Sequence, residues 1–205
     1  MEKNILPNGF LCAGLSAGIK PDESLDMALI MSENTAVAAG VFTTNQVYAA
    51  PVKLCKEHLY NNQAKAIIVN SGIANACTGQ EGYNSATEMT KETAMHLGCD
   101  HTNILVCSTG KIGPQLPMNK IKNGISNLSK KLSNSNLDIT SKAIMTTDTH
   151  PKVVVKTVTL DNTKITITGI AKGAGMIEPN MATMLSFIMT DANVNSEDLK
   201  ICLKE

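Results

Sequence analysis

At 205 residues the chain can bury a real core in one domain or two, and 43% hydrophobic with 18% charged residues is an ordinary globular composition. Eighteen basic residues against eighteen acidic ones leave no electrostatic footprint for a polyanion. Aromatics at 3%, with no Trp, give nucleobases little to stack on, and no segment approaches the length of a membrane span.

Nucleic-acid and membrane partners are therefore not expected. The six cysteines (Cys12, Cys55, Cys77, Cys99, Cys107, Cys202) form no C-x-x-C pair, and the N-terminal MEKNILPNGF carries no apolar stretch of signal-peptide length. Scattered thiols without an export signal read as reduced cysteines of a cytoplasmic protein.

Residues 25–32 and 36–43 are short apolar runs around the polar pair Glu33-Asn34 and predict two paired strands. Pro51 is placed to open a helix to about Tyr60, because proline is tolerated in a first helical turn. KAIIV (65–69) predicts a buried strand ending in the polar, glycine-containing loop NSGIANACTG (70–79). Ala86, Met89, Thr93 and Leu97 recur at spacings of three and four and predict a helix over 83–97.

NILVC (103–107) is a second buried strand, again ending in a loop of small residues, STGKIGP. Met118, Ile121, Ile125, Leu128 and Leu132 form the clearest amphipathic stripe, and Lys120, Lys122, Lys130 and Lys131 fit a solvated helix face. A further helix is expected over 137–145. Residues 153–160 and 164–170 flank a turn at Asp161-Asn162-Thr163, and Ile165 and Ile167 alternate with Thr166 and Thr168, as in a hairpin with one wet face. Residues 184–189 read as a buried strand, and Asn195 or Ser196 before Glu197-Asp198 reads as a capped helix start. Strands and helices interleave with hairpins towards both ends, so the expected fold is a layered α/β or α+β architecture.

Three segments share a composition suited to chemistry: Asn70-Ser71-Gly72, Ser108-Thr109-Gly110 and Lys172-Gly173-Ala174-Gly175. Glycine lets backbone N–H groups approach a ligand and hydroxyls add donors, so such loops can cradle a phosphate or a developing oxyanion. Tight turns need the same residues. Neither common nucleotide-loop signature is present. His58, His96, His101 and His150 have no acidic partner at a useful spacing and read as surface residues, and without H-E-x-x-H no metal site is expected. Cys107, beside Ser108, is a candidate thiol nucleophile for which packing at a strand end is the simpler reading.

Thr183 stands where the segment GAGMIEPNMA meets the apolar run. A threonine hydroxyl needs a base to become a nucleophile, and one solution is the residue's own α-amine at a chain terminus. Such an amine has a pKa of ~8, so a useful fraction is neutral at physiological pH. An internal Thr183 would gain it only by scission of the Ala182–Thr183 bond, which a strained, accessible peptide favours. A buried core threonine is the alternative.

KGAGMIEPNMATMLSFIMTDA (172–192), with NSGIANACTG (70–79), CSTGKIGPQLP (107–117) and AIMTTDTHPK (143–152), closely resembles the ornithine acetyltransferase family of arginine biosynthesis. The motifs stand in the family's order and span nearly the whole chain. The resemblance implies the layered fold of a self-cleaving threonine-nucleophile acyltransferase. It implies scission between Ala182 and Thr183, with residues 1–182 an α-chain region and 183–205 the start of a β chain. It also implies ping-pong transfer, in which Thr183 takes the acetyl group of N-acetylornithine and passes it to glutamate, without a cofactor. Some members accept acetyl-CoA as donor instead.

By the same resemblance Thr109 and Gly110 match the family's oxyanion hole, and Thr146, Lys172 and Thr183 match substrate-binding positions. Asn70 and Asn75 match a family loop, though packing explains them equally well. The two chains of one precursor are expected to form a heterotetramer. Members continue well beyond the equivalent of Glu205, so a truncated product, a fragment or one part of a split protein is expected here. Two rivals stand beside this reading: an aminopeptidase or amidase of the same fold, and an inactive chain serving only in assembly.

Overall fold

A computed structural model describes residues 5–175 and 183–204. Among these, β1 (Phe10–Leu15), β2 (Met27–Val37), β3 (Gln63–Ile73) and β4 (Ile104–Lys111) form one sheet in that order. The β1–β2 and β2–β3 pairs are antiparallel and β3–β4 is parallel. A parallel pair needs a crossover, and α2 (Gly79–Leu97) supplies it. The strands β5 (Lys152–Leu160), β6 (Thr163–Lys172) and β7 (Leu185–Thr190) form a second, antiparallel sheet.

The two-residue period of a strand sends alternate side chains to opposite faces of the first sheet, and both faces are buried. Met27 and Leu29 enter one core, with Leu54 of α1 (Ala50–His58), Met89 of α2, and Ile121, Ile125 and Leu128 of α3 (Met118–Ser129). Ala28 and Ile30 enter the other, with Leu137 and Ala143 of α4 (Leu137–Ala143) and Ile170, Phe187 and Met189 of the second sheet. The layers are therefore helices, sheet, then α4 with the second sheet, an α+β sandwich. Each fully buried Leu or Ile contributes about 1.5–3 kcal/mol through removal from water.

Several expectations change. The strand β1 was not anticipated, because FLCAGL is a short apolar run without alternation. The paired strands expected at 25–32 and 36–43 are instead one strand, β2, which runs through Glu33 and Asn34 with a register shift against β3 between Met31 and Ala36. Its pairing with β1 ends at Ser32, so the polar pair projects into solvent where no burial opposes it. Residues 38–43 lie outside any strand.

Asn70–Ile73 and Ser108–Lys111 are not loops. They extend β3 and β4, with Ser71 opposite Thr109 and Gly72 opposite Gly110. In the second sheet Asp161 and Asn162 both take positive φ, 48° and 63°, as a two-residue hairpin turn requires. Thr166 and Thr168 are buried there while Ile167 is exposed. The parity is set by Ile170 and Lys172, which share the inward face, and a one-residue slip would reverse every side chain. For the same reason β7 is half-buried, with Phe187 and Met189 inward and Ile188 outward. The final helix α5 (Ser196–Lys204) is capped by Asn195, whose Oδ1 accepts from the Glu197 amide at 3.0 Å and the Asp198 amide at 2.9 Å.

Candidate functional site

The C-terminal ends of β3, β4 and β6 meet at one cleft of about 1390 Å³. The β3–β4 ladder carries Thr109 and Gly110 to its edge. Gly110 has φ 132°, and a Cβ placed on it would lie 2.2 Å from the Gly72 carbonyl carbon, so no other residue fits against the β3 backbone. Opposite, the inward parity of β6 delivers Lys172 to the same place, 4% exposed. Its Nζ donates to Thr109 Oγ1 at 3.0 Å and to the Thr183 backbone carbonyl at 3.4 Å.

Burial pulls the Lys172 ammonium below the ordinary lysine value; Asp148 opposes that pull and Lys152 adds to it. Burial also pushes the Asp148 carboxyl up, but Lys152 Nζ and the amides of Gly173 and Thr146 outweigh it and hold the group at about 2.

Thr183 is exposed, in the turn just ahead of β7, so it is not the buried core threonine of the alternative reading. Its φ is 70°. For a β-branched residue that left-handed backbone costs about 1–3 kcal/mol, strain stored at the expected scission point. The other half of that bond, Ala182, lies outside the described residues.

Thr109, Gly110, Thr146, Lys172 and Thr183 all line the cleft. The lining also includes Phe42 and Tyr48 from the segment between β2 and α1. Lys56 Nζ of α1 lies 5.7 Å from the Phe42 ring centre and 5.0 Å from that of Tyr48, which ties this segment to the helix.

Two supporting residues were not expected. Asp26, fully buried, accepts the amides of Ala17 and Ile19, each at 2.6 Å, and of Lys20 at 3.1 Å. Lys20 Nζ in turn donates to the carbonyls of Leu25 at 2.7 Å and of Met145 at 2.8 Å, next to Thr146. A carboxylate between Leu25 and Met27 was the available signal, because an acid in an apolar run is rarely buried unless it is held.

Asn70 and Asn75 are taken up in structural bonds. Asn70 Nδ2 donates to the Ile73 carbonyl at 2.9 Å and its Oδ1 accepts from Ser108 Oγ at 2.6 Å. Asn75 Nδ2 donates to the Gly82 carbonyl at 2.8 Å and its Oδ1 accepts from Thr78 Oγ1 at 2.7 Å.

His58 is buried rather than on the surface, its Nδ1 2.8 Å from the Ile104 carbonyl oxygen, because α1 packs on β4. Among the described residues no histidine lines the cleft. Cys107 does, but a hydrogen bond between its free thiol and that of Cys55, together with burial, pushes the thiol well up, which leaves little thiolate for attack. No group of three or more metal-ligating side chains occurs among the described residues, and none of their helices is long and apolar enough to cross a membrane. The arrangement can stabilise negative charge: a buried ammonium and a hydroxyl face an exposed, strained threonine.

Comparison with known proteins places the chain. The ArgJ family matches residues 11–205. The arginine biosynthesis bifunctional protein ArgJ of Thermotoga neapolitana is 51% identical over 201 residues, covering 97% of this chain and 50% of that protein. The chain thus spans about half the length of the curated relatives it matches. The crystal structure of ArgJ from Bacillus halodurans superposes with a TM-score of 0.80 at 38% identity, over 86% of this chain and 92% of that one. The ornithine acetyltransferase of Mycobacterium tuberculosis, crystallised with ornithine, superposes with a TM-score of 0.77 at 36% identity, over 89% and 98%. Family match, identity and fold agree: this chain belongs to the ArgJ family.

Proposed function

We propose that this chain carries the nucleophile half of an acetyltransferase of arginine biosynthesis, moving acetyl from N-acetylornithine to glutamate through an ester on Thr183. The observation that carries this reading is the convergence of Lys172 Nζ on Thr109 Oγ1 and on the Thr183 carbonyl inside one cleft. The ornithine bound in the Mycobacterium tuberculosis relative supports the substrate class.

Scission between Ala182 and Thr183 creates the α-amine that the hydroxyl needs. It makes residues 1–182 an α-chain region and 183–205 the start of a β chain. The strained φ of Thr183 supports a break there.

In the first half-reaction the Thr183 amine accepts the hydroxyl proton as Oγ attacks the acetyl carbonyl carbon. The carbonyl oxygen becomes an oxyanion. Thr109 Oγ1 already accepts from Lys172, so its own proton can donate to that oxygen, beside Gly110. The C–N bond breaks, the proton passes to the departing ornithine amine, and the acetyl group stays on Thr183. Glutamate then attacks the ester through its own neutral amine, and the Thr183 oxygen regains a proton as it leaves.

Lys172 and Thr146 are assigned to hold the carboxylate that acetylornithine and glutamate share, for which a point charge serves both. The proposal includes no cofactor. Acetyl-CoA enters only as an alternative acetyl donor, and the assembly is a cytoplasmic heterotetramer of α and β chains.

The test incubates the chain with acetyl-labelled N-acetylornithine, alone and with the separately expressed second half of the Thermotoga neapolitana relative. A labelled peptide beginning at Thr183 is expected by mass spectrometry. Label on Cys107, or on an unbroken chain, would overturn the reading. Peptide hydrolysis without transfer would favour the aminopeptidase.

A further inference from the structure

The carboxylate of Asp148 occupies a point where three segments meet. Its side chain is inaccessible to solvent. It accepts from Lys152 Nζ at 2.6 Å, from the Gly173 amide at 2.8 Å and from the Thr146 amide at 3.3 Å. Gly173 directly follows Lys172, and Thr146 lies two residues before the carboxylate itself. One acceptor thus joins the segment bearing Thr146 to the segment bearing Lys172. The cluster is partly buried and charge-assisted, so removing its one acceptor leaves the Lys152 ammonium and both amides without this partner.

We propose that Asp148 is a positioning residue, fixing Thr146 and Lys172 relative to each other so that the ammonium is aimed at Thr109 and at the Thr183 carbonyl. The inference rests on the reading of Thr146 and Lys172 as substrate-binding groups. It also has an electrostatic consequence. Asp148, between α4 and β5, favours the charged form of Lys172, while Lys152 at the start of β5 and Lys20 from the segment before β2 oppose it, Lys20 being itself faced by Asp26 and Asp22. Removal of Asp148 takes away the carboxylate that supports the Lys172 charge.

The test is NMR on the chain labelled with nitrogen-15 and carbon-13. In the unsubstituted protein a coupling across the hydrogen bond from the Gly173 amide nitrogen to the Asp148 carboxylate carbon is expected. In Asp148→Asn the Gly173 and Thr146 amides should exchange with solvent about tenfold faster, and the Lys172 ammonium should titrate at lower pH; Asp148→Glu should restore part of the titration shift. A folded Asp148→Asn chain with all three resonances unmoved would overturn the proposal. Absence of the Gly173–Asp148 coupling in the unsubstituted chain would do so even if Asp148→Asn failed to fold. Neither readout needs turnover. An unsubstituted chain that transfers no acetyl would therefore count against the acetyltransferase reading, and the positioning role would still be decided by the resonances.

Discussion

Lys172 Nζ lies 3.0 Å from Thr109 Oγ1, although 63 residues of chain separate them and each belongs to a different sheet. The contact exists because β4 ends where β6 ends, and because the inward parity of β6 includes its last residue. A buried ammonium polarising a hydroxyl is the physical centre of the proposed site.

Thr183→Ala should abolish both backbone scission and acetyl transfer, while Thr183→Ser should retain part of each because a hydroxyl remains. Denaturing electrophoresis reads the first, and transfer from N-acetylornithine in the presence of the relative's second half reads the second. Turnover by the alanine variant would exclude Thr183 as nucleophile.

Thr109→Val keeps the volume and removes the donor. Its expected effect is a fall in kcat of about 100-fold to 1000-fold, equivalent to about 3 kcal/mol of barrier, with little change in KM. Steady-state kinetics decide this. A change confined to KM would make Thr109 a binding residue.

Gly110→Ala should destabilise the fold itself. The new methyl would stand 2.2 Å from the Gly72 carbonyl carbon at a φ of 132°, which alanine rarely adopts. Separating two hydrogen-bonded strands to admit it should cost about 2–4 kcal/mol, visible as a lower urea midpoint at constant slope. An unchanged midpoint would contradict the close approach of β4 to β3.

Acid should loosen the site through Asp148. Its folded value of about 2 lies below the ordinary unfolded aspartate value of ~3.9. The folded state therefore binds its proton less readily than the unfolded state does. The stabilisation is fully present above pH ~4 and is lost as the pH falls through the folded value. Urea midpoints measured between pH ~5 and ~2 should fall, and Asp148→Asn should flatten that part of the curve. A parallel decline in the variant would assign the acid sensitivity to other groups.

Iodoacetamide at neutral pH should modify the exposed Cys77 and Cys202 well before Cys107, whose thiol is pushed up by Cys55 and by burial. Peptide mapping after short exposure checks the order. Rapid labelling of Cys107 would reopen it as a nucleophile.

Much of the scaffold was legible because periodicity reports burial directly. The stripe of Ile121, Ile125 and Leu128 became a helix buried along that face, and the Asp161-Asn162 turn became the tip of a hairpin. The β2 strand was misread because Glu33-Asn34 looks like a turn, while only the limited extent of β1 shows that these polar residues project past the sheet. Asn70-Ser71-Gly72 and Ser108-Thr109-Gly110 looked like loops because small polar residues suit turns, yet pairing with each other supplies their backbone bonds.

The sequence by itself determined the family, through four motifs that resemble it, and it determined the helices and most strands through spacing. Local order along a chain cannot say which strand ends will lie side by side. Tertiary structure decided that Lys172, Thr109 and Thr183 share one cleft, that the carboxylates of Asp26 and Asp148 are clamped by backbone amides, and that Thr183 carries a left-handed backbone. The reason is physical: burial and strain are properties of neighbours in space, set by packing two sheets and α4 around a common core.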